Sequence, residues 1–319
     1  MIDDIKYEMN DAFLIEKSTE KIVFIREKKK ISIEYSFDLE QTIIRYIKNG
    51  YQPKLDGTND FSEFLISQKI LIPIFSKKYE EKSFQESTFN YVAQISDNPS
   101  KVMRDMTELT IAILGVGGVG QVILEQFAAI GFVKFILIDY DFVNLKNLNR
   151  QFLINKKDDG KKKTNSVKKN LEKRFSLDII IYDCKIKEEE DLKSILLKNK
   201  VDFMVCAADQ PIDVIQDIVR DLCSVYNIPC GFCSVGFEYA TIGPILSRNA
   251  RKMFKTNKVL SENLLFRNIL SASISFTNSI AATIFTKEIF EFLIFGKTVL
   301  ENQVMLYDFN KYKGKMINE

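Results

Sequence analysis

The sequence predicts a mixed α/β protein, with a parallel sheet in its larger part and a smaller α+β unit before it. From Leu109 onward, short apolar runs alternate with helical patterns, as the strands and crossover helices of a parallel sheet do. Before about residue 75, apolar and polar residues alternate in short runs, which is typical of half-buried strands. The 319 residues are 46% hydrophobic and 28% charged, an ordinary globular composition.

The first 75 residues are predicted to form a small domain of strands and short helices. "DAFLIEKSTEKIVFIREKKKISIEY" has the alternation of a strand hairpin. "FDLEQTIIRYIKNG" places Leu39, Ile43, Ile44 and Ile47 at helical spacing and ends at Gly50. "NDFSEFLISQKILIPI" predicts a second helix and then a strand. A hairpin with short helices is typical of a winged-helix module.

A charged stretch, "SKKYEEKSFQES", follows this unit and predicts a linker. We therefore expect domains over residues 1–75 and 109–319, joined by a linker and lead-in helix over 76–108.

The larger part reads as strands and helices in alternation. Strand "TIAILG" leads into a helix from Gly118 to about Ile130. Strand "VKFILID" is followed by a long irregular loop and a helix from about Lys163. Further strands are predicted in "DIIIYD", "VDFMVCAAD" and "IPCGFCSV", with a helix in "VIQDIVRDLCSVYN". This order predicts a Rossmann-like domain.

A glycine-rich loop, "GVGGVG" (Gly115 to Gly120), stands between the first strand and helix of that domain. Its backbone can approach a phosphate whose charge faces the helix N-terminus. Asp139 ends the next strand, 24 residues beyond Gly115, where a carboxylate can bind ribose hydroxyls. Both features serve a nicotinamide dinucleotide equally well, so the glycine loop alone does not select a ligand.

The loop after Asp139 favours a triphosphate. It supplies Asn147, Arg150 and Gln151, and Lys163 opens the next helix. Cationic side chains that converge with a glycine loop can neutralise a triphosphate, whereas hydride transfer needs no such cluster. The run "KKDDGKKK" that contains Lys163 has a simpler reading as a solvated charged face.

Asp209 is the last residue of the predicted strand "VDFMVCAAD". At the carboxyl edge of the sheet it offers a ligand for Mg²⁺. The sequence "DQPIDVIQ" is equally suited to a helix N-cap, and the residues leave both readings open.

Composition excludes several function classes. The chain has no histidine, which removes histidine as base, acid or metal ligand. Five cysteines without a visible signal peptide predict reduced thiols in the cytoplasm. Three charges within the apolar segment Ser273 to Gly296 argue against a membrane span and favour a core or interface helix. A net charge of +2 argues against a nucleic-acid partner.

Four motifs in order, "GVGGVG", "LIDYDFVNLKNLNRQF", "GKKKT" and "AADQP", resemble the E1-like adenylyltransferases, which include the activating enzymes of thiamine and molybdopterin sulfur carriers. The resemblance covers about residues 88–310. It implies that Asp139 holds the ribose, that Asn147, Arg150 and Lys163 contact phosphates, and that Asp209 holds Mg²⁺. The expected catalytic residues are Arg150, Lys163 and Asp209, and the expected nucleotide-binding residues are Gly115, Gly117, Gly118, Gly120, Asp139, Asp141, Asn147 and Gln151.

The whole chain is similar to the microcin C-type peptide-adenylating enzymes. This resemblance implies that ATP or CTP activates the C-terminus of a ribosomal precursor peptide in a homodimer. The apolar faces of Ser273 to Gly296 make this segment the expected dimer contact. The resemblance also implies that the N-terminal unit is a peptide clamp. We expect the leader to pair with an edge strand, either "KIVFIRE" or "KISIEY". The unit could instead enlarge the dimer interface.

Two departures from the family pattern bear on these expectations. The family's structural zinc uses two Cys-x-x-Cys pairs, whereas "GPILSRNARKMF" and "DFNKYKGKMINE" contain no cysteine, so we expect no zinc. "CGFC" (Cys230, Cys233) is expected to be strand packing. The family also supplies an arginine from the segment before the domain to the partner subunit's nucleotide, and this sequence has no arginine between Glu80 and Ser100. Either Lys82, Lys101 or Arg104 replaces it, or this phosphate contact is absent.

The sequence is consistent with three functions: a peptide-adenylating enzyme, a non-catalytic leader-peptide binder that serves a cyclodehydratase, and a sulfur-carrier activating enzyme. In the first, a carboxylate that is already ionised attacks the α-phosphate, so no general base is needed. Alignment and charge stabilisation then account for catalysis.

Overall fold

The computed structural model describes residues 5–74, 84–212, 214–247 and 272–317. The chain divides into two compact units, Met1–Met103 and Arg104–Glu319. Helix α5 (Pro99–Glu108) spans this division. The expected domain boundaries themselves stay predictions.

The first unit is a small α+β fold. Its elements are β1 (Tyr7–Met9), β2 (Leu14–Lys17), β3 (Lys21–Arg26), β4 (Lys29–Glu34), α1 (Phe37–Asn49), α2 (Pro53–Asp56), α3 (Asp60–Ser67), β5 (Leu71–Pro73) and α4 (Gln85–Ala93). Strands β1 and β5 form an antiparallel pair, and β2, β3 and β4 form an antiparallel sheet in that order.

The two predicted helices of this unit, α1 and α3, begin at residues that cap helix N-termini. Ser36 caps α1 by accepting a hydrogen bond from the N–H of Leu39, and Gly50 ends the helix with φ +71°. Asn59 and Ser62 form a reciprocal capping box at the start of α3. Phe24, Tyr46, Leu65 and their neighbours are buried as one core.

The edge of the three-stranded sheet corrects one expectation. "KIVFIR" is β3, the central strand, with β2 on one side and β4 on the other. It has no free edge, so the prediction that it accepts a peptide strand is wrong. β4 carries "KKISIE" and is an edge of this sheet, as is β2.

The second unit is a mostly parallel sheet with helices between its strands. The elements are β6 (Thr110–Leu114), α6 (Gly118–Ile130), β7 (Lys134–Ile138), α7 (Lys163–Leu171), β8 (Asp178–Tyr182), α8 (Glu189–Leu196), β9 (Phe203–Cys206), α9 (Ile215–Val225), β10 (Cys230–Val235), β11 (Tyr239–Leu246), α10 (Ser275–Phe295), β12 (Val304–Asp308) and β13 (Lys313–Ile317).

Among the described residues the strand order is β13-β12-β11-β10-β9-β6-β7-β8. The five strands from β10 to β8 are parallel, and β11, β12 and β13 extend them as antiparallel strands. The predicted α/β class and parallel sheet are confirmed, and the antiparallel extension was not predicted. Because β7 and β9 lie on opposite sides of β6, the crossovers diverge at β6 and open a crevice at its carboxyl end.

Helix α10 belongs to the second unit and contains most of the apolar segment Ser273 to Gly296. It packs against α6 and against β10 and β11, and Phe285 and Ile289 are fully buried. Its buried Glu288 accepts hydrogen bonds from the Thr298 hydroxyl at 2.7 Å and from the Val299 N–H at 3.1 Å. In the parts of the chain that the structure describes, no helix is both long and apolar enough for a bilayer.

Candidate active site

A cavity of about 470 Å³ opens at the carboxyl ends of β6, β7, β9 and β10, within the second unit. This is the crevice at which ligands of open α/β sheets bind. The sequence-predicted residues that line it are Gly115, Gly117, Gly118, Asp139, Asp141, Asn147, Arg150, Gln151, Lys163 and Asp209.

The glycine loop turns tightly from β6 into α6. At Gly117 a Cβ would have only the Gln151 amide nitrogen nearby, at 4.0 Å, so the backbone there is open to a ligand. Gly117 is also the N-cap of α6 and provides no side chain to its first N–H groups, which leaves them for an anion. Gly120 does not line the cavity. A Cβ on it would lie 2.0 Å from the Gly115 carbonyl, so this glycine permits close packing.

Asp139 is buried at the end of β7 and holds the glycine loop. Its Oδ2 accepts a hydrogen bond from the Val116 N–H at 2.7 Å, and its Oδ1 accepts one from the Asp141 N–H at 2.8 Å. A carboxylate oxygen accepts more than one hydrogen bond, so Asp139 can still bind hydroxyls from the cavity side.

Lys163 is the first residue of α7, and its side chain is only 5% exposed. Its ammonium lies 2.9 Å from Asp141 Oδ2 and 3.6 Å from Asp139 Oδ2. The side chain of Lys161, two residues earlier, is 54% exposed. The basic run is therefore a solvated face in part, and Lys163 is the member that enters the cavity.

Arg150 lies in the loop between β7 and α7 and lines the cavity. Its guanidinium donates to Asn149 Oδ1 at 2.8 Å, and a longer contact reaches the Lys146 carbonyl at 3.5 Å. These partners are neutral, in contrast with the two carboxylates beside Lys163. Asn147 is buried, and its Oδ1 accepts from the Asn144 N–H at 3.1 Å, which turns its amide nitrogen to other partners.

Asp209 follows β9 and is exposed at the cavity. The N-cap of α9 is Val214, and no side-chain capping hydrogen bond is made from among the described residues. The N-cap reading of Asp209 is therefore wrong, because the helix begins six residues later, at Ile215. Its carboxylate is available to a ligand.

The sequence did not reveal Gln121, which is buried on α6 behind the cavity. Its amide bonds to the glycine loop and to the loop that carries Arg150. The available signal was a polar residue on a helix whose first two turns are otherwise apolar or glycine.

Two more residues that sequence reasoning missed come from the start of α10. Asn278 and Ser273 line the cavity, and Asn278 Nδ2 donates to the Ser273 hydroxyl at 2.9 Å. A Cβ on Gly118 would lie 2.4 Å from Asn278 Oδ1, so these two segments are in close contact. Asn149 Nδ2 also donates to the Ser273 carbonyl at 2.7 Å. No motif marks this segment.

The two cysteines of "CGFC" are both buried in β10. Cys230 belongs to the core with Cys206 and Cys223, whereas Cys233 lines the cavity. Burial raises the pKa of Cys233 to about 12, so its thiol is protonated and is a poor metal ligand at neutral pH. The absence of zinc stays a prediction.

The candidates for the family's additional cation remain untested. Lys101 and Arg104 are exposed on α5, and Lys82 lies outside the described residues. Within the described chain no group of three or more cysteine or carboxylate residues could hold a metal ion by itself.

Comparisons with known proteins agree with this geometry. The sequence profile of the ThiF family matches residues 91–319. Escherichia coli MccB, solved with AMPCPP and MccA, superposes with a TM-score of 0.79 at 22% identity, covering 98% of this chain and 96% of that one. PaaA superposes with a TM-score of 0.72 at 17% identity, covering 97% and 98%. These likenesses establish the fold.

Curated relatives match over shorter segments. The catalytic subunit of the NEDD8-activating enzyme E1 from Schizosaccharomyces pombe is 30% identical over 114 residues, 35% of this chain and 25% of that protein. Ubiquitin-like modifier-activating enzyme 5 from Caenorhabditis elegans is 51% identical over 45 residues, 14% of this chain and 11% of that protein. The chain thus spans a quarter or less of these relatives.

Proposed function

The chain belongs to the ThiF family, and from that premise we propose that it uses a nucleoside triphosphate to activate the C-terminal carboxylate of a ribosomal precursor peptide in peptide-antibiotic maturation. The observation that carries the proposal is the convergence of Arg150, Lys163 and Asp209 with the open start of α6 around one cavity. Such a set suits the transfer of a nucleotidyl group.

The cavity has separate groups for the ribose and for the phosphates of a nucleotide. Asp139 at the end of β7 binds the ribose, and the N–H groups at the start of α6 bind phosphate oxygens. Arg150 and Lys163 neutralise the polyphosphate. MccB has been solved with ATP, which supports ATP, and CTP is the alternative nucleotide.

A magnesium ion fits the donors of this site. Mg²⁺ in nucleotide sites is held by one or two carboxylates together with substrate phosphates rather than by a protein cage. Asp209 is an exposed carboxylate at the cavity and would hold the ion. When bound, the ion supplies charge stabilisation to the phosphates and the leaving pyrophosphate.

The proposed step needs no protein base. An oxygen of the peptide's ionised C-terminal carboxylate forms a bond to the α-phosphorus. The bond from that phosphorus to the oxygen bridging to the β-phosphorus breaks, and pyrophosphate leaves with the electron pair. Arg150 stabilises the charge that develops, because its hydrogen-bond partners among the described residues are neutral and do not compensate its charge.

The peptide is proposed to bind the first unit by strand addition. The superposition with MccB spans 98% of this chain and therefore includes that unit, and MccB has been solved with the peptide MccA. Strand β4 is an edge of the small sheet, with Lys29, Lys30 and Glu34 along it. A leader segment that pairs with β4 would gain main-chain hydrogen bonds.

A homodimer in the cytoplasm completes the proposal. At the N-terminal end of α10, Ile274 is 43% exposed and Phe276 is 60% exposed in the isolated chain. Large apolar side chains at one helix end favour this end as part of the seam.

The competing function is a leader-peptide binder without catalysis. The lack of an arginine between Glu80 and Ser100 favours it. The complete phosphate-facing set argues against it, because a pure peptide binder has no use for a buried lysine beside a glycine loop.

The test is pyrophosphate release from ATP or CTP with Mg²⁺ and short peptides encoded beside the gene. The matched control is the same peptide with an amidated C-terminus, which binds but lacks the attacking carboxylate. Release with the free acid and none with the amide is expected. A peptide that binds without any release would instead establish the binder.

A further inference from the structure

We infer that Gln121 determines which end of the Gln151 amide faces the cavity, and that it thereby acts as a positioning residue for the polyphosphate. The inference rests on the proposed nucleotide site. Gln121 does not line the cavity, is 1% exposed, and lies on α6 directly after the glycine loop.

The orientation of the Gln121 amide follows from two backbone groups of fixed polarity. Its Oε1 accepts a hydrogen bond from the Leu153 N–H at 3.0 Å. Its Nε2 donates to the Val116 carbonyl at 3.1 Å. Because an N–H can only donate and a carbonyl can only accept, a single orientation of this amide satisfies both groups.

Gln151 takes its orientation from Gln121. The same Nε2 of Gln121 also donates to Gln151 Oε1, at 3.2 Å, in a buried contact. The oxygen of Gln151 therefore faces α6, and its NH₂ group is free to point elsewhere. That nitrogen lies 4.0 Å from the place a Cβ on Gly117 would occupy, at the open part of the glycine loop.

The polarity of this group decides whether it helps or hinders a phosphate. An NH₂ donor beside the start of α6 adds a hydrogen bond to a phosphate oxygen. A flipped amide would present its oxygen to the same anion, with repulsion in place of attraction. The Leu153 N–H and the Val116 carbonyl thus fix the orientation of the Gln121 amide. The Gln121 amide in turn fixes the orientation of Gln151, whose NH₂ group faces the cavity.

The experiment compares nucleotide affinity in two backgrounds of the full-length chain. Gln121→Glu keeps the size of the side chain and replaces the donor with an acceptor, and Gln121→Met removes the hydrogen bonds. Each is made alone and together with Gln151→Met. Calorimetry with α,β-methylene ATP and Mg²⁺ measures Kd. Gln126→Glu, the same change later on α6 and away from the cavity lining, is the matched control.

We expect Gln121→Glu to raise Kd about tenfold and Gln121→Met about threefold, because each removes the group that orients Gln151. In the Gln151→Met background Gln121→Met should alter Kd less than twofold, since no amide remains to be oriented. Gln121→Glu should alter Kd less there than in the wild-type background, because only the direct repulsion between its carboxylate and the phosphates remains. Gln126→Glu should leave Kd unchanged. The unfolding temperature without nucleotide separates lost folding from lost binding.

Equal effects of Gln121 changes in both backgrounds would overturn the inference and leave Gln121 as a structural brace. An unchanged Kd in both Gln121 variants would overturn it as well. If Gln121→Glu does not fold, the same comparison with Gln121→Met decides. A wild-type chain that binds no nucleotide would refute the proposed function itself, whereas binding with equal effects in both backgrounds refutes this inference alone.

Discussion

The ammonium of Lys163 lies 2.9 Å from Oδ2 of Asp141, and both residues line the cavity at the N-terminus of α7. Asp139 adds a second carboxylate at 3.6 Å. The lysine is therefore already compensated when the cavity holds no nucleotide, and a phosphate must compete with Asp141 for it. Among the described residues, the hydrogen-bond partners of Arg150 are the neutral Asn149 side chain and the Lys146 carbonyl.

Replacing Lys163 with Met should lower both stability and activity. The change leaves the buried Asp139 beside Asp141 without a cation, at a cost of about 2 kcal/mol in the free energy of unfolding. That figure is reduced because the Asp141 side chain is 49% exposed and water screens it. Urea unfolding measures the loss. Lys157→Met removes an exposed lysine of the same run and should change stability by less than about 0.5 kcal/mol. Equal losses would contradict the buried pairing.

Replacing Arg150 with Ala should reduce pyrophosphate release by two decades or more, while the protein stays folded. A charge that acts mainly in the transition state is worth about 3 kcal/mol. Steady-state release with the peptide and Mg²⁺ measures the effect. Lys146→Ala, an exposed cation four residues earlier in the same loop, should keep most of the activity. Full activity of the Arg150 variant would refute its assignment.

Replacing Asp209 with Asn should raise the Mg²⁺ concentration needed for half-maximal release and lower the maximal rate about 100-fold. The side chain keeps its shape but loses the charge that would hold the ion. A Mg²⁺ titration of the release rate tests this. Asp178→Asn lies at the start of β8, the opposite edge of the sheet, and should behave as wild type. An unchanged Mg²⁺ requirement would show that Asp209 does not bind the ion.

Binding of the precursor peptide should slow amide hydrogen exchange in β4 and leave the central strand β3 unchanged. β4 has one strand neighbour within the small sheet and gains another in the complex, whereas β3 already pairs on both sides. Exchange followed by mass spectrometry with and without peptide gives the comparison. Protection of β2 in place of β4 would move the site to the other edge, and protection of neither would refute strand addition.

The full-length chain should sediment as a dimer at micromolar concentration, and Phe276→Asp should shift it towards monomer. A charge in place of an exposed phenylalanine is unfavourable in an apolar seam. Val225 is the last residue of α9 and is 72% exposed. Val225→Asp is therefore the matched control and should leave the sedimenting mass unchanged. A monomeric wild-type chain would rule out the proposed assembly.

The features that the sequence predicted well depend on neighbours along the chain. Helix α6 begins at Gly118 and ends at Ile130 as predicted, because a glycine loop precedes it and Gly131 follows it. Asp139 lies at the end of its strand for the same local reason. The ordered motifs also indicated the ThiF family, and the match to residues 91–319 confirms it.

Tertiary structure decided what local signals left open. The patterns of β3 and β4 are alike, and only pairing with β2 makes β3 central and β4 an edge. Asp209 had two readings until the start of α9 at Ile215 removed one. Asn278 meets Gly118 across 160 residues of sequence. Hydrophobic periodicity and residue spacing predict which face of a helix or strand is buried and where that element ends. Contacts between elements that are distant in sequence depend on how the buried faces pack together, which the sequence pattern does not specify.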